Sequence, residues 1–257
     1  MKIITIANQK GGTGKTTTVI NLGAEIARKK RVLIIDLDPQ GNCSKTLTGG
    51  ETFDFEETVS YLFDKPKVAD IAKLVRPVLH NDKEVENLWV IPSDIRLSYV
   101  IETSLTKINR ERILEKHLEK IAQDFDVVLL DTPPNLSLTT LNALQASELM
   151  LIVVDSGVFS LDGISPLLEA GEEIKGEQPL YRILRNKLDK RSTIINEFIS
   201  EELEVIKDMV LPHSVRTSED ITQAHTLSMP LRLFKKGSPV LNDYRNLARQ
   251  IDEIIKI

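Results

Sequence analysis

The sequence has one cysteine, Cys43, among its 257 residues, and it has no long hydrophobic run. A single cysteine excludes a disulfide within the chain and argues against a zinc or iron–sulfur site built from several cysteines. A helix that spans a bilayer needs about 20 apolar residues, and the apolar stretch before the first glycine loop is too short even for a signal peptide. We therefore expect a cytoplasmic protein that does not associate with a membrane.

Glycine and proline are scarce as well, with 12 and 11 residues, which argues against a fibrous or linker-rich chain. Hydrophobic residues make up 41% and charged residues 28%, as in an ordinary globular domain. At roughly 150 residues per domain, this length fits one large domain, which buries a core without disulfides or metals. We predict a single domain over residues 1–257.

Neither sign of charge dominates, because 33 basic and 38 acidic residues give a net charge of −5. This balance argues against nucleic acid covering the whole surface. The charge is uneven, however: Tyr181–Ile257 holds 13 basic and 11 acidic residues, a balance of +2, and the other 180 residues carry −7. Such an asymmetry can arise by chance or from an anion-binding face. Counting charges alone does not decide between these two explanations.

Short, unbroken apolar runs alternate with helical stretches along the chain. Such runs are typical of strands buried on both faces of a parallel sheet, and the alternation indicates βαβ units. We predict an α/β fold with a mostly parallel, twisted sheet, helices on both faces, and ligands at the carboxyl ends of the strands. The predicted strands are Lys2–Ala7, Arg31–Ile35, Leu88–Ile91, Val127–Leu130, Leu149–Val154 and Tyr181–Leu184. The predicted helices are Thr16–Lys29, Arg110–Gln123, Leu161–Lys175, Thr193–Lys207 and Asn242–Ile255, with a surface excursion of short helices over Gly49–Asp82.

A glycine-rich loop, KGGTGKTT at Lys10–Thr17, directly follows the first predicted strand. Glycines allow backbone N–H groups to turn toward phosphate oxygens, and the helix that follows directs its positive end at the same anion. Lys15 can reach the β- and γ-phosphates, and the Thr16 hydroxyl can bind Mg²⁺. If this segment were only a glycine turn between a strand and a helix, it would need neither Lys15 nor Thr16. The predicted nucleotide-binding residues of the loop are Gly11, Gly12, Thr13, Gly14, Lys15, Thr16 and Thr17.

Two carboxylates extend this candidate site. Asp131 follows the apolar run Val127–Leu130, which places it at the carboxyl end of a strand, where it can hold Mg²⁺ through water. Asp38 lies just beyond the second strand, in DLDPQGN at Asp36–Asn42, where it can orient an attacking water and also contact the metal. Either aspartate alone would be more typical of a helix cap or a turn, but the phosphate loop favours the functional interpretation.

At this point the sequence resembles a known family. The loop with Lys10 looks like a deviant Walker A box, DLDPQGN resembles the switch motif that accompanies it, and VVLLDTPP at Val127–Pro134 resembles its Walker B motif. Their order and spacing are similar to the ParA/Soj family of DNA-partition ATPases, of the type without an N-terminal helix-turn-helix domain. The looser stretches LDGI at Leu161–Ile164 and Leu211–Arg216 extend the resemblance over nearly the whole chain.

The resemblance implies a P-loop ATPase that forms a homodimer around two ATP·Mg²⁺ molecules and binds DNA nonspecifically in that state. Lys10 would be the signature lysine that reaches the partner's nucleotide, Lys15 would bind phosphates, and Asp38 would assist the hydrolytic water. A ParB-like or other cargo-bound adaptor protein would stimulate hydrolysis, which releases the DNA. Such cycles would segregate a plasmid or a chromosome origin, and the protein would associate with the nucleoid.

Some positions depart from the family pattern, namely Asn135 where serine is usual and Gly157 where glutamate is frequent. The segment Asn186–Asp189, NKLD, matches the pattern by which many GTPases read guanine. The family has a related segment here, followed by arginine as in Asp189-Lys190-Arg191, so we favour ATP. By the resemblance, Asn186 would contact the base, with Pro212 and Ser214 packed near it.

For DNA, the resemblance points to the C-terminal half, which also carries the local positive balance. Contacts between cations and phosphates give salt-sensitive binding without sequence preference. Each cation alone is more often a solvated surface charge. The candidates are Arg191, Arg216, Lys235, Lys236 and, more weakly, Arg245.

Three other interpretations remain open. A MinD-like membrane ATPase usually needs a basic amphipathic tail helix, whereas the last nine residues here include two acids, Asp252 and Glu253. An electron-transferring relative of the nitrogenase iron protein needs cluster cysteines, which Cys43 alone does not supply. A ParA-like positioner of a protein cargo would use the same ATPase, and the sequence does not separate it from DNA partition.

Overall fold

The computed structural model describes residues 1–81, 83–104, 108–157 and 160–257. Within them, seven strands form one sheet in the order β3-β4-β2-β5-β1-β6-β7, parallel throughout except for the β3–β4 pair at one edge. The strands are β1 Lys2–Ala7, β2 Val32–Asp36, β3 Arg76–His80, β4 Lys83–Ile91, β5 Val127–Asp131, β6 Leu149–Val154 and β7 Tyr181–Arg185.

Helices connect the strands and cover both faces of the sheet. Those before β5 are α1 Lys15–Ile26, α2 Asn42–Leu47, α3 Val59–Asp64, α4 Arg96–Thr103 and α5 Ile113–Leu118. Those after it are α6 Leu138–Ala146, α7 Ile164–Lys175, α8 Thr193–Glu202, α9 Glu219–Thr226, α10 Leu231–Phe234 and α11 Val240–Ile255.

The strands divide their side chains between two apolar cores, as the period of two along a strand requires. Ile34 of β2 lies in the core that includes Leu22 of α1 and Leu247 of α11. Its neighbour Leu33 lies in the opposite core, with helices α3 to α5. Both residues are fully buried, so the central strands read as continuous apolar runs.

The register aligns the carboxyl ends of the three central strands. Asp131 of β5 lies opposite Ile6 of β1 and opposite Asp36 of β2. The loops after β1, β2 and β5 therefore leave the sheet at the same edge, which is where parallel α/β sheets bind ligands. This alignment brings the phosphate loop and the two aspartates to one place.

The structure differs from the sequence prediction in the connections. The segment expected to hold only short helices, Gly49–Asp82, contains α3 and also the antiparallel edge strand β3, whose Pro77 is tolerated because an edge strand leaves N–H positions unpaired. The helix predicted over Arg110–Gln123 is reduced to α5 between two short 3-10 turns. The helix predicted over Thr193–Lys207 ends at Glu202 and continues as a kinked 3-10 turn. Asp82 lies outside the described residues.

The C-terminal helix α11 packs its apolar side onto the domain. Leu247, Ile251 and Ile255 are buried in the core shared with α1. Its apolar residues are thus engaged within the chain, unlike those of a tail helix that folds on lipid. In the described part of the chain, no helix is both long and apolar enough to cross a membrane.

Candidate functional site

The loop between β1 and α1 has the backbone of an anion-binding turn. Gly14 adopts a left-handed conformation (φ 95°, ψ 27°) immediately before α1, and Gly12 also has a positive φ of 82°. A Cβ at Gly14 would overlap with the side-chain amide of Asn186. Glycine is therefore required at position 14 by backbone conformation and by space, and α1 directs its N-terminus into the loop.

Three lysine ammonium groups lie at this loop, and two of them donate hydrogen bonds to its backbone carbonyls. Lys15 Nζ donates to the Lys10 carbonyl at 3.1 Å, and Lys187 Nζ donates to the Gly12 carbonyl at 2.6 Å. Lys10 Nζ forms an ion pair with Asp155 Oδ1 at 3.3 Å. Burial lowers the pKa of Lys15, and the nearby Asp131 and Asp38 partly offset this effect. Lys187 was not predicted as a site residue, although its place in the NKLD segment was a feature of the sequence that could have indicated it.

Two buried carboxylates lie side by side at the ends of β2 and β5. Asp36 accepts hydrogen bonds from the Ser44 backbone N–H at 2.8 Å and from the Ser44 hydroxyl at 2.7 Å, while burial raises its pKa to about 6. Burial and the neighbouring Asp36 raise the pKa of Asp131 well above its usual range, and Thr16 counteracts this by stabilising the charged form. Asp36 was not predicted as a site residue, although it ends an apolar strand as Asp131 does.

The Asp131 carboxylate is suited to a cation. Both of its oxygens are buried, and no donor among the described residues makes a hydrogen bond of normal geometry with them, Thr16 included. A buried carboxylate without partners is costly unless a charge compensates it, and carboxylate and hydroxyl oxygens suit Mg²⁺. No group of three or more His, Cys, Asp or Glu side chains able to hold a metal occurs in the described ranges. Thr16 and Asp131 would therefore hold the ion together with water and nucleotide phosphates.

Asp38 lies in the turn beyond β2, half-buried. Its Oδ1 accepts the Gln40 backbone N–H at 2.9 Å, and its own backbone N–H donates to Asp36 Oδ1 at 3.1 Å. Gly41 follows in a left-handed conformation and is the residue directly before α2. The turn thus holds the Asp38 carboxylate at the site edge of the sheet, next to the carboxylates of Asp36 and Asp131.

One of the residues predicted to contact the base, Asn186, is hydrogen-bonded directly to the phosphate loop. Asn186 is buried, and its Nδ2 donates to the Thr13 carbonyl at 2.8 Å. The segment that contains Pro212 and Ser214 runs beside β7, because Leu211 N–H donates to Ile183 and Val215 N–H donates to Arg185.

The carboxylate that guanine recognition would need is already paired. Arg191 Nη2 lies 2.7 Å from Asp189 Oδ2, Arg191 Nε also bonds this carboxylate, and the pair lowers the pKa of Asp189 to about 2. This arrangement favours the ATP interpretation over the GTP one.

Asn8, which was not predicted as a site residue, makes hydrogen bonds that hold the start of the phosphate loop. Its Nδ2 donates to Val153 and Ser160, at 2.8 and 2.9 Å, and its Oδ1 accepts the Lys10 backbone N–H at 2.8 Å. A Cβ at Gly163 would lie 2.8 Å from that Oδ1. Asn8 thereby connects the Lys10 backbone to the stretch Val153–Gly163, of which Val158 and Phe159 lie outside the described residues.

The cations predicted to contact DNA are mostly engaged within the chain. Arg216 Nε lies 2.7 Å from Asp243 Oδ2, and Nη2 bonds the other oxygen at 2.7 Å. The remaining ion pairs are Arg191–Asp189, Lys235–Asp220 and Arg245–Glu25. Lys236 is exposed and has no ion pair within the described ranges. The structure therefore gives four of these five cations an acidic partner, which weakens their availability to phosphates.

Comparison with known proteins identifies full-length relatives. Residues 1–212 match the family described as an AAA domain. The sporulation initiation inhibitor protein Soj of Bacillus subtilis is 37% identical over 97% of this chain and 98% of its own. The chromosome partitioning protein ParA of Caulobacter vibrioides is 33% identical over 98% of this chain and 94% of its own. Apo McdA of Cyanothece has the same fold, with a TM-score of 0.83 at 25% identity over 97% of this chain and 98% of that one. The predicted fold class and family resemblance are confirmed.

Proposed function

The chain belongs to the ParA/Soj family of partition ATPases, and on that premise we propose that it is an ATP-dependent DNA-partition ATPase. The observation that carries the proposal is that the phosphate loop, Lys15 and Thr16 meet the buried carboxylate of Asp131. Among the described residues, none donates a hydrogen bond of normal geometry to that carboxylate. A turn with only a structural role would leave no reason for a carboxylate without hydrogen bonds at this place. The proposed unit is the whole chain, residues 1–257, as one domain.

Nucleotide binding follows from these residues. The backbone N–H groups from Gly11 to Thr17 and the N-terminus of α1 receive the phosphates. Lys15 exchanges the Lys10 carbonyl for phosphate oxygens, which restores hydrogen bonds and compensates charge. Thr16 and Asp131, with Asp38 nearby, would hold Mg²⁺, which would supply positive charge to neutralise the phosphates. Asn186 contacts the base, with Pro212 and Ser214 beside it.

Hydrolysis requires a positioned water and compensation of the charge that develops on the transferred phosphoryl group. Asp38 orients the water from the turn beyond β2. Lys10 leaves Asp155 and extends to the nucleotide of a second subunit, where its ammonium group acts as an arginine finger does. Two subunits facing each other across their phosphate loops therefore complete both sites, so the ATP state is a homodimer.

The dimer binds DNA without sequence preference, and hydrolysis releases it. An adaptor protein of the ParB kind, bound to its cargo, stimulates turnover, and repeated cycles segregate a plasmid or a chromosome origin on the nucleoid. Positioning of a protein cargo is the second candidate, because it would use the same ATPase site.

DNA binding with ATP, ADP and no nucleotide, each at two salt concentrations, tests this function. We expect binding only with ATP·Mg²⁺, and weaker binding at the higher salt concentration. Lys15→Ala is the control, since it removes the ammonium group that binds phosphate and should abolish nucleotide binding. An unmutated protein that binds no DNA at low salt with ATP·Mg²⁺ would contradict the partition function.

A further inference from the structure

The turn that carries Asp38 is fixed at its ends, while its middle faces solvent. Leu37, directly before Asp38, is fully buried, and its backbone N–H donates to the Asp131 carbonyl at 2.9 Å. Asp38 is half-buried and Gln40 is exposed. A side chain on such a segment is held in place by the contacts at the ends of the segment. The far end of the turn, where α2 begins, therefore helps to determine where the Asp38 carboxylate lies.

Ser44, in the first turn of α2, connects that far end to the sheet. Its side chain is buried. Its hydroxyl donates to Asp36 Oδ2 at 2.7 Å, and its backbone N–H donates to the same oxygen at 2.8 Å. The hydroxyl oxygen also accepts the Ser93 backbone N–H at 2.8 Å. One hydroxyl group thus joins the end of β2, the start of α2 and the loop after β4.

Both partners of the Ser44 hydroxyl are positioned by the sheet. Asp36 is the last residue of β2, and Ile35 before it pairs with Ile91 of β4 in parallel register. Ser93 lies two residues beyond the end of β4. The hydroxyl therefore ties α2 to the ends of two neighbouring strands, and the first turn of the helix is restrained on both sides.

The backbone carries this restraint from α2 to Asp38. The Lys45 N–H donates to the Gly41 carbonyl at 2.9 Å, and the Gly41 N–H donates to the Asp38 carbonyl at 3.0 Å. Gly41 also fits closely against the loop after β4, because a Cβ there would lie 2.9 Å from the Ser93 carbonyl oxygen. Asp36 Oδ1 accepts the Asp38 backbone N–H at 3.1 Å. The Asp36 carboxylate thus holds both ends of the segment that contains Asp38.

We propose that Ser44 is a positioning residue for ATP hydrolysis, whose hydroxyl holds the Asp38 turn in the orientation that the attacking water needs. This inference rests on the proposed function, and Ser44 acts in it through Asp38. A misplacement of about 1 Å can cost a reaction on the order of a hundredfold in rate. Binding of the phosphates depends on the separate loop after β1, so the effect of Ser44 should fall on hydrolysis alone.

The other contacts of α2 distinguish this role from a contribution to folding. Cys43 and Leu47 are fully buried in the core that α2 shares with α1, so apolar packing already fixes the helix to the domain. Thr46 is buried as well, and its hydroxyl donates to the Asn42 carbonyl of the same helix at 2.9 Å. The Ser44 hydroxyl, in contrast, bonds to two groups outside α2.

The test replaces Ser44 by Ala, which removes the hydroxyl and keeps a residue that favours helix. Thr46→Ala is the matched control, because it removes a buried hydroxyl from the same helix and leaves the bridge between Asp36 and Ser93 intact. Turnover is measured as the release of labelled phosphate over a range of ATP concentrations. Titration with a nonhydrolysable ATP analogue counts the sites that bind nucleotide in each variant.

We expect Ser44→Ala to lower kcat by about five- to fiftyfold, as a displacement of Asp38 by less than 1 Å would. Its KM for ATP and its number of binding sites should equal those of the parent, and Thr46→Ala should follow the parent in all three quantities. Asp38→Ala should hydrolyse poorly, and adding Ser44→Ala to it should lower the remaining turnover no further, because both changes act through one carboxylate.

The outcomes separate this inference from the proposed function. If Asp38→Ala is slow but Ser44→Ala turns over like the parent, or if Ser44→Ala lowers turnover by the same factor with and without Asp38, Ser44 does not position Asp38 and the proposed function stands. A Ser44→Ala variant with fewer binding sites and an unchanged kcat per site would assign the hydroxyl to folding and overturn the inference. If the parent hydrolyses no ATP, or Asp38→Ala hydrolyses it like the parent, the proposed role of Asp38 fails and this inference fails with it.

Discussion

Lys10 Nζ lies 3.3 Å from Asp155 Oδ1 of the same chain, directly beside Gly157. The ammonium group that we propose to act across the dimer is thus folded back onto its own subunit. Asp155 Oδ1 also accepts the Gly157 backbone N–H at 3.0 Å, which fixes the carboxylate. On the proposed function, Lys10 must leave this carboxylate before it can reach a second subunit, so we expect the ion pair to oppose dimerisation.

Replacing Asp155 by Asn should favour the ATP-bound dimer. The change removes the charge that holds Lys10 and keeps an oxygen for the Gly157 N–H. A partly exposed ion pair contributes about 1 kcal/mol or less, so we expect the dimer dissociation constant to fall by about two- to tenfold. Sedimentation with a nonhydrolysable ATP analogue measures it, with Lys10→Ala as the control that should not dimerise. A weaker dimer in Asp155→Asn would refute the opposing role of the pair.

Gly157→Ala tests the same contact from the other side. A Cβ at this position would overlap with Lys10 Nζ, and the flexible lysine would move away from Asp155 at little cost. We expect unchanged ATP binding by the monomer and a stronger dimer, with no additional gain when Asp155→Asn is combined with it. Gly237→Ala is the matched control, since a Cβ there meets nothing within 4 Å. Additive effects of the two changes would show that they act on different contacts.

The buried Asp36 predicts a dependence of stability on pH. Its pKa is raised to about 6 by burial in the folded protein, above the roughly 3.9 of an unfolded chain. The folded state therefore holds the proton more tightly, and the free energy of unfolding that this group contributes falls as the pH rises from about 4 through about 6. Urea unfolding of the metal-free protein at pH 5.0 and 7.5 should show this loss.

Two comparisons isolate that effect. Asp36→Asn should reduce the pH dependence and leave the part that the raised pKa of Asp131 contributes. Asp162→Asn, at an exposed carboxylate, should leave the dependence unchanged. Mg²⁺ with nucleotide should stabilise the protein more at pH 7.5 than at pH 5.0, because a cation compensates charged carboxylates only. An equal stabilisation at both pH values would speak against Asp131 as the metal ligand.

Lys187 is expected to hold the phosphate loop in place. Its backbone has a left-handed φ of 53°, and its carbonyl accepts from the hydroxyls of Ser156 and Thr217, so its ammonium group is directed at Gly12. Lys187→Met keeps the stem and removes the donor. We expect a faster release of ADP, about three- to tenfold for the loss of one solvent-exposed hydrogen bond, measured with a fluorescent ADP analogue. Lys190→Met, an exposed lysine in the same loop, should release ADP like the parent.

The sequence by itself determined the central strands and the phosphate loop. β1 and β6 have the predicted bounds, β5 and β7 end one residue later than predicted, and β2 both begins and ends one residue later. These features are local, because a strand buried on both faces needs an unbroken apolar run and an anion-binding turn needs glycine at positive φ. The sequence also indicated the ParA/Soj family through motifs that lie within such local segments.

Only the tertiary structure determined the contacts between residues that are distant in the chain. The contact between Asn186 and Thr13 joins positions 173 residues apart, and the register that places Asp36 beside Asp131 is set by strand pairing. The same is true of charge: the family resemblance directed attention to Arg216, but only the fold shows that Asp243 is paired with it. Whether a cation is available to a ligand depends on what packs against it, because its acidic partner comes from a distant segment of the chain.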